Sequence, residues 1–325
     1  MAQAANYSAK TATVDGVEIV LLTDTAHKTE VTVLPSIGNI AYRMLVNGKN
    51  AFWTPTENLA QLKAKPAMGG VPFLWPWANR IDQDAYFVDG KKYLLNFELG
   101  NFRRDGNQKP IHGLLTFTPR WQVTAVQAND NGAWVTSRLE FWKYPDLMAQ
   151  FPFAHTVEMT YRLASGVLEV ETAVQNQSTA PMPVMAGFHP YYQVHDAPRD
   201  EWRVHIAARD RMTLSPQLIP TGERTPVAFT DPLVLKGVQL DDVFTNLGTA
   251  EFSVQGKNEK VSVRFGPKFT VAVIYAPGRP FICFEPMSGP TNAFNLAHAG
   301  LYKELQSIPP GGQWRESFWI STSGF

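Results

Sequence analysis

"VEMTYRLASGVLEVETAV", residues 157–174, decides the fold class. Val157, Met159, Tyr161 and Leu163 alternate with polar residues, and after Ala164-Ser165-Gly166 the pattern resumes at Leu168, Val170 and Val174. A period of two puts every second side chain on one face of an extended chain, so the stretch predicts two half-buried strands joined by a tight turn. "VSVRFGPKFTVAVIY" (261–275) has the same pattern and predicts a second hairpin, turning at Gly266-Pro267-Lys268. "WQVTAV" (121–126), "AWVTSRLEFW" (133–142) and "ESFWIST" (316–322) read as further strands, and "TENLAQLKA" (56–64) suggests a short helix. Many short strands with Pro- and Gly-rich turns predict an all-β chain, a large antiparallel β-sandwich. With no linker or repeat in evidence, residues 1–325 are expected to form a single domain.

Composition narrows the function. The 29 basic and 29 acidic residues balance, so there is no electrostatic reason to expect nucleic acid or an anionic membrane as partner. The single cysteine, Cys283, excludes an internal disulfide framework and a zinc site built on several thiolates. No stretch approaches the roughly 18 uninterrupted apolar residues of a membrane span. The opening "MAQAANYSAK" has neither a basic nor an apolar leader region, so a cytoplasmic protein is expected. A secreted or periplasmic mature form is the alternative that "AQAA" keeps open.

Five short segments carry residues suited to chemistry. In "GGVPFLWPWANRI" (69–81), Trp75 and Trp77 stand two apart and offer flat faces of the kind that suit a sugar ring, while Asn79 and Arg80 supply donors for hydroxyls. The alternative is a pair of core tryptophans beside a surface arginine. "KPIHGLL" (109–115) sets His112 before a glycine that lets the turn bend. "AGFHPYYQV" (186–194) holds His189 before Pro190, which keeps the backbone extended and limits where the ring points. "LDDVFTNL" (240–247) carries adjacent carboxylates, Asp241 and Asp242. "RPFICFEPMSGPTNAFN" (279–295) ends an apolar strand on Glu285, where partial desolvation raises a carboxyl pKa and strengthens it as a base. Cys283 shares a face with Glu285 but lacks a thiol-activating setting, and reads as a buried core cysteine. No two histidines show the i,i+4 spacing of a zinc motif, so no metal is expected.

In this order the five segments resemble the aldose 1-epimerase (galactose mutarotase) superfamily, from "ANRI" through "IHG", "GFHPYY" and "LDDVF" to "ICFEP". The resemblance implies a galactose mutarotase-like supersandwich and an isomerase that interconverts sugar anomers. It implies Glu285 as general base, His189 as general acid, and His112 as a second histidine near the ring oxygen. Arg80, with Asn79, matches the substrate-binding arginine. The substrate-binding aspartate falls on Asp241, with Asp242 its neighbour. The implied partner is a small-molecule sugar, and no cofactor is implied. A histidine titrating near neutral pH suits the acid role, and a carboxyl raised toward neutrality suits the base.

The sugar's charge is read from what is missing. "GGVPFLWPW" is similar to the hexose 6-phosphate branch, whereas "ANRI" is similar to the free-sugar branch. The branch acting on phosphates carries an arginine before Gly-Gly and another after His-Gly; here those places hold Met68 and "LLT". A phosphate dianion requires cationic partners, so a free aldose such as glucose or galactose is expected. Arg103, Arg104 and Lys109 are the substitutes that keep a 6-phosphate as the alternative. Two further readings are a non-catalytic sugar-binding module and a glycosidase or lyase using Asp241 and Glu285.

Overall fold

The structure is a computed structural model, and it describes residues 6–325; residues 1–5, on which the leader reading partly rests, lie outside the described residues. The opening hairpin is present as strands His155–Ala164 and Val167–Asn176, in antiparallel register with Val157 opposite Val174, Tyr161 opposite Val170 and Leu163 opposite Leu168. Its turn uses Ser165 and Gly166, both at positive φ (50° and 70°), as a two-residue hairpin loop requires. Each apolar residue of the alternation is fully buried, so the pattern marks the core face.

This hairpin lies in a nine-stranded sheet. The spatial order is Gln122–Asn129, Gly132–Glu140, His155–Ala164, Val167–Asn176, Gln313–Ser323, Lys260–Phe265, Glu251–Gln255, Arg203–His205 and Leu233–Val234. A second sheet runs through Pro220–Pro226, Ala208–Leu214, Leu240–Leu247, Val271–Ala276, Ile282–Met287, Gly187–Phe188 and Phe73–Leu74, with Tyr191–Tyr192 also paired to Ile282–Met287. The strands from Tyr7–Val14 to Lys49–Asn50 form a third, five-stranded sheet. About half of the chain is strand and 8% helix, so the all-β sandwich expectation is met. The two large sheets meet through aromatic contacts: Phe188 lies 4.8 Å from Phe318, and Phe252 lies 6.0 Å from Phe284. Val170, Val263 and Ile320 of one sheet share that core with Phe244, Ala272 and Ile274 of the other. The helix expected at 56–64 is Leu59–Ala64, capped by the Asn58 side chain accepting from the Gln61 N–H.

The second hairpin is not formed. Lys260–Phe265 pairs with Glu251–Gln255 and Gln313–Ser323, whereas Val271–Ala276 pairs with Leu240–Leu247 and Ile282–Met287 in the other sheet. Residues 266–270 carry the chain across the sandwich, with the Gly266 N–H donating to the Ser317 carbonyl. A period of two reports that a segment is a half-buried strand; it does not report the partner. Among the described residues no helix is long and apolar enough to cross a membrane.

Candidate active site

Register across the second sheet sorts the acidic residues. Asp241 lies opposite Tyr275, Tyr275 opposite Cys283, and Cys283 opposite Tyr191. Directly paired residues project from the same face, and Glu285, two residues beyond Cys283, joins them. The next row, Asp242, Ile274 and Phe284, projects oppositely, toward the inter-sheet core where Ile274 and Phe284 are buried. Asp241 thus faces outward beside Arg80, with Arg80 Nη2 at 3.6 Å from its carboxylate. Asp242 instead meets Arg211 at 3.3 Å. The two adjacent acids stand on opposite sides of one sheet.

His189 follows Gly187–Phe188, and its N–H donates to the Pro72 carbonyl. Its Nε2 lies 3.3 Å from Glu285 Oε1, and its ring stacks on Tyr191 at 4.7 Å. His112 meets it edge-on, with ring centroids 5.3 Å apart at 88°. The His112 backbone is left-handed (φ 65°), and it is held there by its N–H donating to the Asn79 carbonyl and by the Thr116 hydroxyl donating to the His112 carbonyl. Gly113, also left-handed, is required by close approach: a Cβ there would lie 2.2 Å from the Trp75 carbonyl oxygen. Asn79 orients Arg80, its Oδ1 accepting from both the Arg80 N–H (2.9 Å) and Nη1 (3.0 Å). Arg80 Nε donates to Asp105 at 2.6 Å, so the guanidinium is strung between Asp105 and Asp241.

Exposure grades outward, from Glu285 (1%) through His189 (7%) and His112 (8%) to the Asp241 side chain (33%). Burial dominates the electrostatics at the inner end. It holds the Glu285 carboxyl well above the usual carboxylate range, with the Asp241 charge adding to the rise and Arg80 opposing it. Burial also lowers His189 to about 3, helped by the Arg103 and Arg80 charges against a backbone hydrogen bond that raises it. His112 is lowered well below its ordinary value by burial, then by His189, Arg103 and Arg80. Burial thus disfavours the charged form of both partners, the Glu285 carboxylate and the His189 imidazolium. The expectation of a lone histidine titrating near neutrality is corrected: desolvation is too strong for that. Glu285 Oε2, His189 Nδ1 and His112 Nδ1 are buried without hydrogen-bond partners in the protein.

Trp75 and Trp77 do not form a sugar platform. Both are fully buried. Trp75 Nε1 donates to His155 Nε2 at 2.8 Å, while His155 Nδ1 donates to the Phe153 carbonyl at 2.6 Å, and Trp77 packs edge-on to Phe102. They are core residues beneath the strip that carries Asn79 and Arg80. The aromatic surface beside the pair comes from Tyr191 and Tyr275, the latter 6.0 Å from His189 at 75°. Tyr275 escaped the sequence reading because it ends the Phe269–Val271–Val273 alternation and resembles another core residue. It differs from them in being only partly buried. Asp105, which holds Arg80, also carried no sequence signal. Among the described residues no three His, Cys, Asp or Glu side chains gather as metal ligands would.

Comparison with known proteins bears on the family and the fold. The family model for aldose 1-epimerase matches residues 18–321. The uncharacterized protein YihR of Escherichia coli (strain K12) is 27% identical over 231 residues, covering 68% of this chain and 70% of the relative. A galactose mutarotase-like protein from Clostridium acetobutylicum superposes with a TM-score of 0.87 at 18% identity, covering 98% of this chain and 99% of that one. Galactose 1-epimerase from Lactobacillus acidophilus NCFM superposes with a TM-score of 0.73 at 15% identity, over 98% and 100% of the two chains. At these identities the structural matches speak to the fold, a galactose mutarotase-like sandwich, and the family match covers nearly the whole chain. This chain belongs to the aldose 1-epimerase family.

Proposed function

We propose that the protein is a mutarotase that interconverts the α and β anomers of a free aldohexose, with Glu285 and His189 exchanging a proton through the sugar. The observation that carries this reading is the 3.3 Å contact between His189 Nε2 and the buried Glu285 Oε1, on the sheet face that also bears Asp241 and its partner Arg80. Ring opening moves the O1 proton to the Glu285 carboxylate. The C1–O5 bond breaks, its electron pair goes to O5, and O5 takes a proton from the His189 imidazolium as C1=O1 forms. The aldehyde turns about C1–C2. Closure reverses the transfers: O5 attacks C1 and returns its proton to His189, while Glu285 protonates O1. Nothing is consumed.

Protonated Glu285 beside neutral His189 is the state of the open-chain half of this cycle. It is also the state that burial favours. In this reading His112, whose charged form burial disfavours, hydrogen-bonds the ring oxygen, and Arg80, Asn79 and Asp241 bind hydroxyls.

The test is polarimetry of fresh α-glucose and α-galactose with and without enzyme, alongside product analysis on oligosaccharides. Accelerated decay of rotation with no new reducing ends is expected; release of reducing ends means a glycosidase. Glucose 6-phosphate should have a lower kcat/KM than glucose, because Met68 and "LLT" supply no cation for the dianion.

A further inference from the structure

Three basic side chains precede His112, and the structure disposes of them differently. Arg104 donates to the Gln108 carbonyl and pairs with Asp84 at 2.9 Å. Lys109 donates through Nζ to the Asp82 carbonyl at 2.6 Å. Arg103 meets no carboxylate among the described residues. It lies opposite Ile111, the residue before His112, and its guanidinium rests over the Phe117 ring at 5.3 Å.

Arg103 lines a cavity of about 290 Å³ that is also bounded by Gly113 and Thr116, the chain that leaves His112. Gly113 of the cavity wall directly follows His112, whose ring meets His189 at 5.3 Å, so the cavity lies next to the site. The cavity's other opposed charges are matched to each other: Arg120 forks onto Asp146 with two bonds of 3.0 Å. Arg80 is likewise matched by Asp105 and Asp241. Arg103 is an exposed cation that meets no carboxylate among the described residues. A guanidinium seated on an aromatic face keeps its N–H edge open for a planar oxyanion.

We propose that this cavity receives a singly charged substituent of the sugar, with Arg103 as its partner, so that the preferred substrate is a hexuronic acid or another aldohexose with one negative charge remote from C1. The proposal rests on the mutarotase reading and specifies its substrate. One unmatched cation suits one negative charge; a phosphate dianion leaves half of its charge unmatched. A carboxylate matches the guanidinium fork in shape as well as charge.

The experiment measures kcat/KM for anomerisation of glucuronate and galacturonate against glucose, galactose, glucose 6-sulfate and glucose 6-phosphate. Each uronate is expected to exceed its neutral parent by about tenfold or more, the usual worth of a hydrogen bond to a charged group. A comparable gain for the 6-sulfate shows that any monoanion serves; no gain there shows that a carboxylate is required, and both results support the site. Arg103→Gln should collapse the uronate-to-neutral ratio toward one, Arg103→Lys should keep part of it, and added salt should shrink it in the wild type. Equal turnover of uronate and parent, a ratio that survives Arg103→Gln, or a 6-phosphate that outruns both monoanions overturns the proposal. Calorimetric titration with glucuronate decides separately from turnover. If no sugar is anomerised, the mutarotase reading fails, while uronate binding that is lost in Arg103→Gln still supports the anion site and its absence overturns it.

Discussion

Asp241 and Asp242 differ by one position and by the whole thickness of a sheet. Asp241 faces Arg80 and Tyr275, and Asp242 faces Arg211 on the other side. Asp241→Asn is therefore expected to raise KM by about tenfold, the scale of a lost charge-assisted hydrogen bond, with a smaller change in kcat. Asp242→Asn should leave both within about twofold. Steady-state kinetics of the two variants checks this; equal effects would contradict the assignment. His155 gives a second prediction at this scale. It is fully buried between Trp75 Nε1 and the Phe153 carbonyl, and burial lowers its pKa from 6.5 to about 3. The unfolded chain takes up this proton below about pH 6.5 and the native state does not, so His155 makes stability fall as pH drops from there toward 3. Each such histidine contributes a slope of about 1.4 kcal/mol per pH unit. In denaturant titrations between pH 4 and 6, His155→Gln should flatten the stability curve by about that slope. An unchanged slope would mean that His155 is not held neutral. The adjacent acids show what sequence could and could not resolve. Their residue type was plain, but choosing between them needed the strand's facing, which "LDDVF" alone does not give because both of its faces are partly polar.

At the scale of elements, the loop that carries His112 depends on Gly113. A Cβ there meets the Trp75 carbonyl oxygen at 2.2 Å, and the residue sits at φ 66°. Gly113→Ala must open the turn that sets the His112 ring against His189. A loss of more than about 1 kcal/mol in stability is expected, together with a fall in kcat, since the strain falls on backbone that cannot rotate away. Thermal melts and anomerisation rates check it, and a variant matching wild type in both would contradict the close approach. The elements also show why the second hairpin was misread. Val261–Phe265 and Phe269–Tyr275 alternate as well as the 157–174 pair does, but Gly266-Pro267-Lys268 sends the chain to the opposite sheet instead of back on itself. Val261, Val263, Phe269, Val271 and Val273 are all buried, but in Val271–Ala276 the intervening Ala272 and Ile274 are buried as well, since that strand is covered on both faces. Pairing is a long-range choice made by the sandwich. Trp75 and Trp77 failed as platform residues for a related reason: a flat ring is equally suited to a sugar and to a core, and only the tertiary surroundings place it under the sheet.

On the scale of the whole molecule, the site draws on stretches near positions 80, 112, 189, 241 and 285, brought together because the second sheet aligns Leu240–Leu247, Val271–Ala276 and Ile282–Met287 while His112 and Arg80 arrive on flanking loops. The fold class was legible because segments such as 157–174 and 261–265 alternate visibly between apolar and polar residues. The gathering of His112, His189, Arg80 and Glu285 was legible only through the resemblance of five ordered segments, since no local pattern brings such distant residues together. Tyr275, Asp105 and the unmatched charge of Arg103 were not legible at all, because each acquires its meaning from a neighbour supplied by another part of the chain.

The central claim is that Glu285 exchanges a proton with the sugar in concert with His189. The measurement that tests it most directly is the enzyme-dependent rate at which a fresh α-aldohexose approaches anomeric equilibrium, compared between wild type and a folded Glu285→Gln variant at saturating sugar. Glutamine keeps the shape of the side chain but cannot take the proton. The account predicts a kcat lower by on the order of 10²–10⁴, with KM little changed. A folded Glu285→Gln protein retaining more than about half of the wild-type kcat would contradict it.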